Sequence, residues 1–576
     1  MKSFTADFET TTDINDCRVW AYALCEIGNT NNFIYGNNIE DFIKFCSNKK
    51  ENYKLWFHNL KFDGEYIFSY LLNNGYEVIE NKKDKRDKTF TCLISDMGQF
   101  YSIEIYFEVR KKKVNKVTIY DSLKIVNAPV EKIAKDFKLP IEKLELDYKE
   151  YRPQGHILTQ HEIDYIRNDV IIMAMVLKHF HDLGLNKMTI GSNALAYYKT
   201  INKHFLRYFP VLPYEIDKDI RKSYKGGFTY LNDIYKGKTT GAGIVLDINS
   251  MYPAILHNER LPFGDPIFFE GKYEDDPLYT LYVQTLTCAF EIKQGKIPTI
   301  QLKNTLGFIP NEYIKSSEGE LITLTLTNID LELFIEHYDL YEVTYHSGWK
   351  FKSINGLFTE YVDKWTAEKI KAKKEENKVM YMISKLMLNS LYGKFGLNPN
   401  VRGKFPYLND DGVIEYHITP PAIRDSIYLP VATFVTSYGR RQIIKTSQAI
   451  RDYTLNKYGI DYFIYNDTDS IHMLDIDYDE VKQFVDIDDY RLGAFKIEST
   501  FDRGRYLRQK CYIEENDDKL NVTIAGLPKK LGKYINFDNF TNGLTITKDD
   551  SEKEHKLTFK HVPGGVLLVD TDFTIK

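Results

Sequence analysis

Three carboxylates, at positions 247, 467 and 469, stand where apolar strands end, a placement that suits phosphoryl transfer. Asp247 closes the run that begins at Gly243 and is followed by Asn249-Ser250-Met251-Tyr252-Pro253. Asp467 and Asp469 occupy the tip of a second apolar hairpin, in which Tyr-Phe-Ile-Tyr and Ser-Ile-His-Met-Leu flank Asn-Asp-Thr-Asp. An acidic tight turn by itself is an ordinary surface feature; a third carboxylate at another strand end changes the reading. Transfer from a nucleoside triphosphate needs two hard cations roughly 4 Å apart, one to activate the attacking hydroxyl and one to hold the pyrophosphate. Oxygen ligands on rigid strand ends suit Mg²⁺, with Mn²⁺ as a substitute, two per site. The triphosphate also needs positive charge. Lys385, Asn389 and Tyr392 fall at i, i+4 and i+7, on one helix face, while Leu386, Met387, Leu388 and Leu391 supply the apolar side.

A second constellation lies near the N-terminus. Asp7 and Glu9 alternate by two on a strand and so share a face. Asp63 follows Phe57-His58-Asn59-Leu60-Lys61-Phe62, and Tyr165 and Asp169 are i and i+4 on a helix. Each fragment alone is ordinary surface. Together, four acids and a tyrosine form a set for metal-assisted hydrolysis, with the phenol orienting the attacking water.

The elements that must hold these groups can be sketched from the pattern. The first 190 or so residues mix short strands with helical stretches and end in a helix around Glu162 to Phe180, an α/β unit; a second unit begins near Ile190. Pro253 can start a helix after the Asp247 strand. Trp365 to Tyr392, without Pro or Gly, predicts a long helix or helical hairpin, and 405–418 a β-hairpin turning at Asp411-Gly412. At 576 residues the chain needs more than one core. Net charge −5 argues, taken alone, against a nucleic-acid protein and predicts weak nonspecific DNA affinity. Binding follows the local field, however, and carboxylate-rich sites lower the total while a basic rim remains. Short basic runs stand at 82–88, 110–113 and Lys369, Lys371, Lys373 and Lys374. Six cysteines in no metal-ligand spacing read as free thiols in a reducing compartment, and neither a signal peptide nor a membrane span is visible, so an intracellular protein is expected.

Asp247-Ile-Asn-Ser-Met-Tyr-Pro resembles motif A of the family B DNA polymerases, Lys385-Leu-Met-Leu-Asn-Ser-Leu-Tyr-Gly motif B, and Tyr465-Asn-Asp-Thr-Asp-Ser motif C, in matching order and spacing. The resemblance implies that Asp247 and Asp469 hold both metals with Asp467 in support. It also implies that Ser250, Met251, Lys385, Asn389 and Tyr392 meet the incoming nucleotide and that Tyr252 excludes a 2′-hydroxyl. Asp7-Phe-Glu9, Asn59 to Asp63 and Tyr165 to Asp169 are similar to the DEDDy 3′→5′ exonucleases. The implied metal ligands there are Asp7, Glu9, Asp63 and Asp169, with Tyr165 and Lys143 catalytic. Thr10, His58, Asn59, Phe62, Tyr66, Ser122 and Leu123 would hold the frayed strand. Tyr224-Lys-Gly226-Gly227, Thr436-Ser-Tyr-Gly-Arg440, Lys510-Cys-Tyr512 and the closing Val562-Pro-Gly-Gly-Val resemble the protein-primed branch, the first three as DNA contacts. Two departures stand out: Asn466, where a small residue or Cys is usual, and a longer helical stretch from Trp365 to Lys385.

The expected fold is α/β plus α+β and multidomain, a ribonuclease-H-like exonuclease domain followed by a right-hand polymerase. Its parts would be exonuclease 1–189, palm 190–258 and 429–526, branch-specific insertions 259–361 and 397–428, fingers 362–396 and thumb 527–576. By resemblance, the partners are primer-template and single-stranded DNA, dNTPs and a terminal priming protein. The chain would be a strand-displacing monomer in the cytoplasm of a bacterial host. The rivals are a nuclease with an inert polymerase half, which the intact Asp247, Asp469, Lys385 and Tyr392 disfavour, and a noncatalytic replication-fork binder of DNA and priming protein.

Overall fold

The computed structural model describes the chain except residues 49–50, 112, 149, 303–312 and 551–553. Parts of the expected 110–113 basic run, first insertion and thumb therefore lie outside the described residues. The N-terminal unit is built on an eight-stranded sheet. Its strand Lys2–Thr10 pairs antiparallel with Val19–Glu26 and parallel with Tyr53–Phe57. Most of its side chains are buried, as expected of a strand covered on both faces rather than one. The helix Gln160–Asp182 opens with a capping box between Thr159 and Glu162, which satisfies two otherwise orphaned backbone donors. It lies on that strand, where the Thr5 hydroxyl donates to the Val170 carbonyl at 2.6 Å.

A second, five-stranded sheet runs in the order Phe495–Phe501, Gly243–Ile248, Ser470–Leu474, Phe463–Asp467 and Thr229–Leu231. The 29-residue helix Pro430–Tyr458 packs against it. Asn466, the departure noted in the sequence, is fully buried and satisfied: its amide donates to the Ser447 hydroxyl of that helix at 3.1 Å and to the Ser470 carbonyl at 3.2 Å. The expected helical stretch is a hairpin, Thr359–Lys374 and Lys378–Ser390, reversing at Glu376 in the left-handed region (φ 54°). It begins at Thr359, ahead of the expected Trp365. Residues 261–354 carry a four-stranded sheet of Leu261–Glu270, Tyr338–Ile354, Leu281–Ile292 and Ile322–Thr327.

Two hairpins distant in sequence return to the N-terminal unit. Phe405 and Ile414 come from the hairpin Lys404–Leu408/Ile414–Ile418, and Val562, Val566 and Leu567 from the hairpin Lys556–Val562/Gly565–Thr571. All five are buried in one core with Phe57, Leu60 and Tyr66. The six cysteines are buried and unpaired, and among the described residues no helix is long and apolar enough to cross a membrane.

Candidate active sites

The N-terminal acids converge on a cleft of about 1250 Å³. Asp7 and Glu9 reach it from the strand Lys2–Thr10, and Asp63 from the first turn of the helix Leu60–Asn73. Asn59, in the left-handed region (φ 73°), turns the chain from strand to helix so that Asp63 meets the Phe8 amide at 3.3 Å. Tyr165, Asp169 and Lys143 line the same cleft. Lys143 pairs with Asp169 and lies 5.3 Å from the Tyr165 ring centre. Burial, and then the Asp169 charge, push the Asp7 carboxyl up to about 7. Burial likewise lifts Glu9 and Asp63 well above the usual range and raises Asp169. Burial opposes the Lys143 ammonium, but Asp169 and Asp7 outweigh it and its pKa rises. Four acids that resist joint ionisation, with a lysine offsetting part of their charge, form a site short of positive charge.

Thr10, His58, Asn59 and Phe62 also line this cleft. Three of the expected strand contacts already have partners within the protein. Ser122 is fully buried; its hydroxyl donates to the Phe57 carbonyl at 2.9 Å and lies 3.0 Å from His58 Nδ1, so it orients the histidine. Tyr66 is 2% exposed and spends its hydroxyl on the Val566 carbonyl at 2.6 Å. Leu123 lies outside the lining, its amide tied to Asp121 at 3.0 Å. The sequence reading missed Tyr148, whose hydroxyl bonds that of Tyr165 in the cleft. It missed as well the wall supplied by Leu557, Phe559 and Leu567 of the C-terminal hairpin.

The second site forms where the five-stranded sheet meets the helical hairpin. Asp247 stands between Ser470 and Lys496 on its neighbouring strands, and the Ile248 amide donates to the Asp469 carbonyl at 2.9 Å. Asp247 and Asp469 therefore border one cleft of about 390 Å³, with Ser250, Tyr252, Lys385 and Asn389 around it. They also border a second cleft of about 700 Å³ that holds Asp467, Lys510 and Tyr512. Burial, and then Asp247, raise the Asp469 carboxyl to about 6, and burial raises Asp247 despite Lys496 at 3.0 Å. Lys510 lies 3.2 Å from Asp467, and its amide donates to the Tyr465 hydroxyl at 2.9 Å. Met251 is buried and packs toward Gly439. Tyr392 packs against Tyr252 with ring centres 4.3 Å apart and the ring planes inclined at 46°. A Cβ on Gly227 would stand 2.6 Å from Thr468 Cγ2 and 3.0 Å from the Tyr252 hydroxyl, so only glycine lets this loop pass between them.

Thr436 and Arg440, expected from the resemblance as DNA contacts, have their polar groups engaged inside the protein. Thr436 is 1% exposed and turns its hydroxyl onto the Ala432 and Thr433 carbonyls of its own helix. Arg440, 4% exposed, forks onto Asp330 and donates to the Lys225 and Gly226 carbonyls at 2.9 and 2.7 Å. It anchors the Tyr224 to Gly227 loop from beneath. The sequence reading missed Lys496 and Glu498, alternate residues on one strand that line the smaller cleft. Lys369, which in the sequence is only part of a basic run, places its ammonium 3.3 Å from the Ser250 hydroxyl, with burial and then Lys385 lowering its pKa.

Among the described residues, no three His, Cys, Asp or Glu side chains cage an ion unaided. Asp169 Oδ1, buried without a hydrogen-bond partner, offers an open ligand atom, and in both sites a lysine ammonium already leans on an acid.

The family of DNA polymerases type B, organellar and viral, matches residues 45–486. The DNA polymerases of Bacillus phage Nf and Bacillus phage phi29 are 43% and 42% identical to this chain, over its whole length and 100% and 99% of theirs. The structure of phi29 DNA polymerase with primer-template DNA and incoming nucleotide substrates superposes with a TM-score of 0.91 at 42% identity, both chains covered completely. Polymerases of this family depend on divalent metal. With both clefts and their acids in place, this chain belongs to the organellar and viral type B family and is a DNA-directed DNA polymerase of the phi29 kind.

Proposed function

We propose that the chain replicates a phage or viral genome inside a bacterial cell, extending a primer at the Asp247–Asp469 site and proofreading it at the Asp7–Asp169 site. The observation that carries this reading is the placement of Asp247 and Asp469 on the border of two clefts. The smaller, with Lys385, Lys369 and Asn389, suits a triphosphate; the larger, with Lys510 and Tyr512, suits a primer end. Lys385 and Lys369 would hold the phosphates, and the Tyr252–Tyr392 pair would form the floor beneath the sugar that rejects a 2′-hydroxyl. In the N-terminal cleft Tyr165, supported by Tyr148, would orient the attacking water while His58, Asn59 and Phe62 hold the 3′ strand. Two Mg²⁺ per site, on Asp247 and Asp469 or on Asp7, Glu9, Asp63 and Asp169, would supply Lewis-acid charge and a lowered pKa for the nucleophile.

We assign 1–189 to the exonuclease, 190–258 and 429–526 to the palm, 362–396 to the fingers and 527–576 to the thumb. The two insertions would serve strand displacement and a terminal priming protein, and the enzyme would act as a monomer. Extension of a primer on a circular single-stranded template, followed by dNTP withdrawal, tests the reading. Product longer than the circle should vanish in Asp469→Ala, and degradation after withdrawal should vanish in Asp63→Ala. Extension surviving Asp469→Ala would refute the site assignment.

A further inference from the structure

Neither chemistry uses Glu65. It lies two residues beyond Asp63 on the helix Leu60–Asn73 and is 1% exposed. A buried carboxylate is costly unless partners compensate it, and here they come from two distant segments. The Tyr416 hydroxyl of the 404–418 hairpin lies 2.8 Å from both carboxylate oxygens. His561 Nε2 of the C-terminal hairpin lies 3.2 Å from Oε1, close in distance but off the hydrogen-bond direction.

The surrounding contacts converge on the same point. Phe62 meets Phe559 with ring centres 5.9 Å apart, and Lys61 lies 5.1 Å from the Phe559 ring centre. The backbone of Gly565 passes so close to Tyr66 that a Cβ would lie 2.6 Å from its ring, which explains the glycine in the closing Val562-Pro-Gly-Gly-Val. On the other side Cys92 Sγ meets the Lys404 carbonyl at 3.4 Å, and His417 pairs with Glu80 at 2.8 Å. One helix thus presents Asp63 to the hydrolytic cleft and Glu65 to the two hairpins, one of which walls that cleft.

We propose that Glu65 is a positioning residue for the exonuclease cleft: by gripping Tyr416 and His561 at one buried point, it fixes the wall that the C-terminal hairpin contributes and so sets how firmly a 3′ strand is held. The proposal rests on the exonuclease reading above. Because each partner compensates the same charge, loss of either leaves the carboxylate underpaired and loosens the other hairpin too.

The test compares the full chain with Glu65→Ala, Glu65→Gln and His561→Gln on a 3′ single-stranded oligonucleotide, with Asp63→Ala as the inactive control. Glu65→Ala should raise KM on the order of tenfold, a typical coupling between sites, with kcat nearly unchanged. Glu65→Gln keeps an acceptor for Tyr416 and should recover part of the loss; correct nucleotide incorporation should stay at the intact level in all three. Amide hydrogen exchange in 558–569 should quicken in Glu65→Ala while the strand Lys2–Thr10 stays protected. Unchanged KM and exchange would overturn the proposal, as would a uniform rise in exchange with kcat falling at constant KM. An intact chain that degrades nothing refutes the exonuclease reading and with it the KM effect; hairpin exchange then decides separately whether Glu65 holds this wall.

Discussion

Raising the pH of the metal-free protein through the range below neutrality should weaken its N-terminal unit, and magnesium should restore it. The Asp7 carboxyl moves from 3.8 to about 7 on folding, chiefly through burial. At 1.36 kcal/mol per unit this is about 4 kcal/mol, and Glu9, Asp63 and Asp169 shift in the same direction. Between those two pKa values the folded chain binds more protons than the unfolded one, so stability falls as pH rises; outside the window the contribution is flat. Glu104 and Glu162, each held at about 2 from an ordinary 4.5, act in the opposite sense but complete their change below that ordinary value. Burial lowers His58, His181 and His337, which also act oppositely and inside the window; subtracting the same curve for Asp7→Asn removes them. For a unit of this size about 4 kcal/mol corresponds to roughly 8–16 °C. Calorimetry in EDTA should therefore show the N-terminal transition of the intact chain dropping, relative to Asp7→Asn, between about pH 4 and about pH 7. Magnesium should raise the transition most at the upper end, where the acids are ionised and bind it without losing protons. A difference curve that is flat or rises with pH, or a magnesium shift that shrinks, would refute the account of strained acids awaiting metal.

Three further outcomes follow from buried contacts. Arg440→Leu strands Asp330 and the Lys225 and Gly226 carbonyls and should cost about 3–5 kcal/mol in urea unfolding; a loss under about 1 kcal/mol would mean the pair is not compensating buried charge. Gly227→Ala must push Thr468 or Tyr252 aside and should lower kcat/KM for extension at least about tenfold, equivalent to about 1.4 kcal/mol; wild-type kinetics would show that the loop yields freely. Asn466→Ala leaves Ser447 and the Ser470 carbonyl without their partner and should destabilise by about 1–3 kcal/mol, as read by the chemical-denaturation midpoint, whereas an unchanged midpoint would make the amide dispensable.

The parts legible in the sequence are those governed by local period and chain order. Alternation placed Asp7 and Glu9 on one strand face, helical spacing aligned Tyr165 with Asp169, and apolar runs ending in acids marked Asp247 and the Asp467–Asp469 turn. The 405–418 β-hairpin is legible because its break coincides with Asp411-Gly412, whereas the helical stretch is legible only as helical, since it reverses at Glu376 with no Pro or Gly to mark the turn. Spacing within an element survives folding, since the backbone repeat alone decides which side chains share a face.

Burial and contact across long separations were not legible. Thr436 and Arg440 are expected from the resemblance to be DNA contacts, yet the helix Pro430–Tyr458 turns them inward to its own carbonyls and to Asp330. Ser122 and Tyr66 read as strand contacts, yet Phe57 and Val566 take their hydroxyls. No periodicity announces that Phe405, Ile414, Val566 and Leu567 complete the N-terminal core, or that Glu65 meets Tyr416 and His561. Local period and chain order nominate the groups for the chemistry and the elements they ride on. Which polar groups face a cleft and which are used up inside follows from the packed fold alone, because desolvation and partner geometry depend on surfaces that chain order does not encode.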